Sequence, residues 1–180
     1  IGQDQNQLKT RSSIMGNILN VKLGVCRVTF GGVDLGHTIG GVEVTYAPEY
    51  HETKVDQYAG VSERWLVGEK LSAKVPLAEN TLTTLKNAIT HSTDNTDHIT
   101  IGSEAGKRSS TFAKLLVLHP VANEDSDRSD DVGIYKAHVS NEITVGYKND
   151  GEQIIEAVFD GIVDEGRSDG NLLGMIGDSV

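Results

Sequence analysis

Hydrophobic and polar residues alternate along much of this chain, and the alternation predicts strands. From Val42 the side chains Val42, Val44 and Tyr46 fall on one face and Glu43, Thr45 and Ala47 on the other. That period of two marks a half-buried strand. Pro48 has no N–H to give to a ladder, so the strand should end there or run as an edge. Residues 62–77, SERWLVGEKLSAKVPL, alternate over a longer span. Trp65, Val67, Leu71, Ala73, Val75 and Leu77 share one face, with Glu69 the exception. Arg64, Lys70, Ser72 and Lys74 share the other, with Leu66 out of pattern. Further strands are expected over 20–30 (NVKLGVCRVTF), briefly within GGVDLGH and DHITI, and over 111–121 (TFAKLLVLHPV), the most apolar run. Two more follow, over 132–147 with an interruption near Asn141, and over 153–163. In the last, Ile155, Ala157, Phe159 and Val163 oppose Glu156 and Asp160.

The period changes once. In NTLTTLKNAIT, Leu82, Leu85 and Ile89 fall three and four apart and form one helical stripe. Asn80 is the expected N-cap, and the helix should span about 80–91. Runs of strands with one helix predict a mainly β chain: two packed antiparallel sheets, as a β-sandwich or a barrel, with one flanking α-helix. Residues 1–19 lack a period and read as an N-terminal arm. Residues 20–164 read as the β domain. Residues 165–180, rich in glycine, read as a flexible C-terminal tail, held only where a neighbour docks on it.

Composition narrows the class. The chain has 180 residues, 37% hydrophobic and only 5% aromatic, with 20 glycines. This suits a turn-rich protein of modest burial, or one that completes its burial against copies of itself. No apolar run approaches the length of a membrane span, and the polar start IGQDQNQLKTRSS does not read as a signal peptide. Cys26, the single cysteine, excludes an internal disulfide and reads as a small core residue. The net charge is −10. Residues 1–90 carry 9 basic and 9 acidic residues, while 91–180 carry 7 and 17, so the acidic excess lies in the second half. Such a chain repels nucleic-acid phosphate, which argues against a DNA-reading role.

Motifs for catalysis fail on spacing. GSEAGKRSS, 102–110, encloses three residues between its glycines where a phosphate loop needs four, and Arg108 stands where a magnesium-binding hydroxyl belongs. DSDRSDDVG, 125–133, begins like a calcium loop, but Asp130 replaces the required glycine and Lys136 the bidentate glutamate. The six histidines, 37, 51, 91, 98, 119 and 138, are scattered and form no zinc pattern. No catalytic, cofactor-binding or metal-binding set emerges, and the chain is expected not to be an enzyme. A carbohydrate- or metal-binding β-sandwich is the competing reading, with few aromatics for stacking on sugars.

The unusual stretch is Gly40–Gly60, GGVEVTYAPEYHETKVDQYAG. His51, Glu52, Lys54 and Asp56 lie within six residues, flanked by Tyr46, Tyr50 and Tyr58. Tyrosines offer contact area with a polar tip, and alternating charge sets register between partners. The stretch therefore reads as an interaction surface built on Tyr46, Pro48, Tyr50, Val55, Asp56, Gln57 and Tyr58, or else as an ordinary hairpin with a soluble face.

The order GHTIGGVEVTYAPEY, KVDQYAG, KVPLAE and TLTTLKNAI resembles the tail tube (major tail) proteins of long-tailed, siphovirus-like bacteriophages. The matching elements are the glycine pair and Val-x-Val strand of Gly40–Val44, the Pro-Glu-aromatic turn of Pro48–Tyr50, Val55–Gln57, and the junction Pro76–Glu79. Together they span about residues 33–90. The resemblance implies a homohexameric ring that stacks into a hollow tube, a virion structural protein made in the host bacterial cytoplasm. DNA would pass through the lumen without specific binding during genome ejection. The implied partners are further copies of the chain, a tape measure protein, a tail terminator and distal tail proteins, with no membrane and no cofactor. Glu156 and Asp160 are then expected to face the lumen and repel DNA. A tail terminator, or the tube of a contractile tail, shares the design and is the alternative.

Overall fold

The computed structural model describes residues 24–94, 97–102, 105–147 and 149–177. The expected arm 1–19 lies outside the described residues. The chain is mainly β, with a large antiparallel sheet, a small second sheet and, among the described residues, one α-helix. The strands of the large sheet are β1 (Cys26–Phe30), β2 (Val33–Asp34), β3 (Glu43–Lys54), β4 (Val61–Leu77), β7 (Lys114–Pro120), β8 (Val132–Val139), β9 (Ile155–Gly161) and β10 (Gly174–Ile176). Their order is β2-β1-β7-β8-β9-β4-β3, with β10 also on β8. The hairpin β5 (Ser92–Asp94) and β6 (Ile99–Ile101) makes the second sheet.

The large sheet curls on itself. Phe30 of β1 and Phe159 of β9 sit with ring centroids 5.0 Å apart, although β7 and β8 lie between their strands. In a flat sheet those strands would be roughly 14 Å apart. The segment after β2 completes the closure. Thr38 bridges Leu77, Ile39 N–H donates to Pro76 O at 3.1 Å, and Ala78 N–H donates to His37 O at 2.8 Å. The alternating inward side chains fill this barrel: Val28 and Phe30, Ala73, Val75 and Leu77, Leu116 and Leu118, and Ile155, Ala157 and Phe159. Each strand alternates because one face meets this core and the other meets water.

The helix α1 spans Leu82–Ala88 and is capped by Thr81, whose Oγ1 accepts from Thr84 N–H at 3.1 Å. Asn80 is not the cap, because its side chain donates to Gln153 instead, at 2.8 Å. The buried face is also rotated from the expected stripe. Thr84, Asn87 and Ala88 are buried and Leu85 packs on the core, while Leu82 is exposed. Ala88 lets the helix come close to the barrel wall where a larger side chain would hold it off.

β8 stops at Val139, and the expected continuation to 147 is not a strand. Asn141 takes over the pairing with β9 through its side chain: Nδ2 donates to Glu156 O and Oδ1 accepts from Val158 N–H, both at 2.7 Å. The amide replaces a ladder rung, so the backbone is free to leave the sheet. Within the glycine-rich tail, Leu172, Leu173 and Gly177 hydrogen-bond to strands and turns of their own chain. Tyr135 N–H donates to Leu173 O at 3.1 Å, Asp164 N–H to Leu172 O at 2.9 Å, and Gly177 N–H to Asp131 O at 2.9 Å. β10 fits because Gly174 has no side chain: a Cβ there would meet Gly133 O at 2.4 Å and Leu71 Cδ2 at 2.5 Å.

Candidate assembly surface

β3 pairs with β4 along its whole length, from Glu43 opposite Lys74 to Lys54 opposite Val61. Only Ser72–Leu77 of β4 also pair with β9. Beyond Leu71 the two strands leave the barrel as a ribbon, on the order of 35 Å long at the usual strand rise. β3 is the edge strand of the sheet, as Pro48 required, and the strand passes through that proline without ending. Both ribbon strands are exposed along nearly all of this length.

Two irregularities decide which side chains meet. Glu49 pairs with Gly68 but Tyr50 with Leu66, so Val67 is an extra residue in β4; Ser62 is another, near the tip. The first bulge breaks the alternation expected over 62–77 and moves Trp65 off the face of Leu71 and Ala73. Cross-strand partners share a face. One face therefore carries Tyr46, Pro48 and Tyr50 with Leu71, Glu69 and Leu66 opposite, followed by the ion pair Glu52–Arg64 at 2.9 Å. The other face carries His51 opposite Trp65. The Tyr46 hydroxyl donates to Glu69 Oε1 at 2.5 Å, and this bond to a carboxylate holds the phenol pKa above its ordinary value.

The ribbon ends in a turn in which Tyr58 N–H donates to Val55 O at 3.2 Å. Val55, Asp56, Gln57 and Tyr58 are all exposed there, Tyr58 to 72%. The structure thus places all seven residues expected at an interface on one ribbon, with Tyr46, Pro48 and Tyr50 along a face and the other four at its tip. It adds Trp65, Leu66 and Val67, exposed to 61%, 51% and 60%. Trp65 and Val67 were missed as surface because their alternation reads like a core strand, while Leu66 already stood out of pattern on the polar face. Hydrophobic patterning cannot tell a strand facing its own core from one facing another chain.

Glu156 and Asp160 lie on the outer face of β9, opposite the buried Ile155, Ala157 and Phe159. Each has a basic partner from β4: Lys74 Nζ is 3.3 Å from Glu156, and Lys70 Nζ is 3.1 Å from Asp160. The acidic pair is locally neutralised, which reduces its reach as a DNA-repelling field.

The acidic loop 123–131 directs its carboxylates at protein partners. Asp125 pairs with Arg27 at 3.1 Å and Asp127 accepts from Ser129 N–H at 3.1 Å. Asp131, fully buried, joins His119 Nδ1 at 2.6 Å and Arg128 at 2.8 Å. Among the described residues no three His, Cys, Asp or Glu side chains gather where they could hold a metal ion. His119 Nε2 is buried and has no hydrogen-bond partner among the described residues, so the Asp–His pair ends there. It fastens the loop to β7, a role sequence spacing did not signal. Among the described residues no helix is long and apolar enough to cross a membrane. No family model matches this chain, and no curated protein matches it in sequence.

Proposed function

We propose that this chain is a structural subunit of a phage tail tube, assembling as stacked hexameric rings around a lumen for DNA, with no catalytic activity. The observation that carries the reading is the β3–β4 ribbon. A two-stranded ribbon bearing Tyr46, Tyr50, Tyr58, Trp65, Leu66 and Val67 on exposed surface, with free strand edges, is a hazard for a lone monomer and an asset in an assembly. A ribbon on one side of the molecule that docks elsewhere on the next copy forms a head-to-tail contact, the kind that closes into rings. Pro48 and the flanking charges on β3 limit indiscriminate edge pairing, so that one register is favoured. The sequence resemblance over residues 33–90 covers the same ribbon and the helix beyond it. Virion location and the tape measure, terminator and distal tail partners belong to the same proposal.

Negative-stain electron microscopy beside size-exclusion chromatography tests it. The purified chain should form hollow filaments or stacked rings, and Trp65→Asp with Tyr50→Asp should leave a folded monomer that forms neither. Isolated rings that never stack would favour a tail terminator. Tubes that survive both substitutions would remove the ribbon from the interface.

A further inference from the structure

A cavity of about 190 Å³ lies at the root of the ribbon. Tyr46, Glu69 and Leu71 line it from the ribbon, and Leu172, Leu173 and Gly174 from the returning tail. Tyr46 is 54% exposed and Glu69 is exposed as well, so the cavity reaches the surface at these two. The Tyr46 hydroxyl donates to Glu69 Oε1 and fixes that carboxylate. Among the described residues no cation pairs with Glu69. Leucine walls with a carboxylate at the mouth suit an aliphatic stem that ends in a positive charge, which is a lysine side chain. The ribbon carries three basic residues, Lys54, Arg64 and Lys70. Arg64 pairs with Glu52, and Lys70 with Asp160. Lys54, exposed beside the tip turn, has no ion-pair partner among the described residues.

We propose that Lys54 of one copy enters the Glu69 cavity of the next, so that the tip of each ribbon docks at the root of its neighbour's. The inference rests on the assembly reading above and names a contact that reading leaves open. Lys54 does not reach its own Glu69. Glu69 sits opposite Pro48, and from there to Lys54 along β3 is on the order of 20 Å, far beyond a side chain's length. Only a second molecule brings the two charges together. Tip and root are different surfaces, so the contact is head-to-tail, and each copy gives one and receives one. The pair meets near the surface, so it fixes the register of the docked ribbon more than it adds affinity, and salt weakens it.

Charge reversal tests it, with self-association of the full chain followed by analytical ultracentrifugation across a concentration series at low salt. The unmodified chain is compared with Lys54→Glu, Glu69→Lys, the swap Lys54→Glu/Glu69→Lys, and Arg108→Glu as a control of equal net charge to Lys54→Glu. Each single reversal on the ribbon sets like charges against each other and should raise the concentration needed for association about tenfold. The swap should recover most of that loss, and the control should match the unmodified chain. Single variants that associate like the unmodified chain, or a swap no better than the singles, overturn the docking and leave the tube reading standing. An unmodified chain that stays monomeric at every concentration overturns both. Should Glu69→Lys fail to give a cooperative melt, Glu69→Gln takes its place, since the amide still accepts from Tyr46. Lys54→Glu/Glu69→Gln should then associate more readily than Lys54→Glu alone, and equal association overturns the docking.

Discussion

β4 is one strand with two fates. From Ser72 to Leu77 it pairs with β9 on one side, with the start of β3 and Thr38 on the other, and Ala73, Val75 and Leu77 are fully buried. From Val61 to Leu71 it pairs only with β3, and Trp65, Leu66 and Val67 stand in solvent. Composition hardly separates the halves. What separates them is the number of neighbours: the inner half faces other strands across the barrel, while Trp65, Leu66 and Val67 of the outer half stay exposed. The inner half stabilises the monomer, and the outer half has surface to offer to a partner.

Phe159→Ala against Trp65→Ala is the sharpest way to test that division. Phe159 is fully buried and meets Phe30, so its loss should cost about 4 kcal/mol of unfolding free energy in urea titrations. Trp65→Ala on the isolated chain should change it by less than about 0.5 kcal/mol. A comparable loss at Trp65 would mean that the ribbon packs on its own barrel.

The loop clamp comes next. Asp131→Ala leaves the buried His119 and the half-exposed Arg128 without their shared carboxylate, and about 3 kcal/mol should be lost in the same titration. An unchanged midpoint would show that the acidic loop contributes nothing to the barrel. Gly174→Ala should then cost about 2 kcal/mol, because the added Cβ meets Gly133 O and Leu71 Cδ2. The loss should be local, seen as faster hydrogen exchange in β10 with the ribbon unaffected.

The smallest effect is acid-dependent. Lys136 donates to Asp164 at 2.7 Å and holds its carboxyl below the ordinary pKa, with Gly166 N–H and Arg167 helping. A depressed folded pKa means that the contribution is full above the ordinary carboxylate range and is lost as pH falls through the lower folded value. The amides of Asp164 and Tyr135, which donate to Leu172 O and Leu173 O, should lose exchange protection over that acid range, and Asp164→Asn should remove the pH dependence. A tail whose protection is flat with pH would show that the ion pair does not hold it.

Much of the architecture was legible. The alternation of β1, β4, β7 and β9 places Val28, Ala73, Leu116 and Phe159 inward, and the switch to a helical period marks α1 near its true position. Pro48 marks the edge strand. The cap was misplaced by one residue, since Asn80 and Thr81 both suit an N-cap and the choice turned on Gln153, distant in sequence. β10 was not foreseen, because three residues in a glycine-rich tail carry no period and fit only because Gly174 has no side chain to meet Gly133 O and Leu71.

Of the candidate surface, the sequence supplied the residues and left their grouping to the fold. Tyr46, Pro48, Tyr50 and the Val55–Tyr58 turn stood out by type and density. Trp65 escaped notice because a bulge at Val67, set by pairing with β3, moves it to another face. Glu156 and Asp160 were assigned correctly to the polar face of their strand, but Lys70 and Lys74 reach them only through the β4–β9 register.

By itself the sequence determined which segments are strands, which side of each is apolar, and that no familiar catalytic motif is present, because these depend on periods and spacings within a few residues. Only the tertiary structure decided that one large sheet curls into a barrel, that half of β4 leaves it as a ribbon, and that the tail returns to β8. Those outcomes depend on contacts between residues far apart in the chain, where closure, bulges and the room left by a glycine settle what an alternating pattern leaves open.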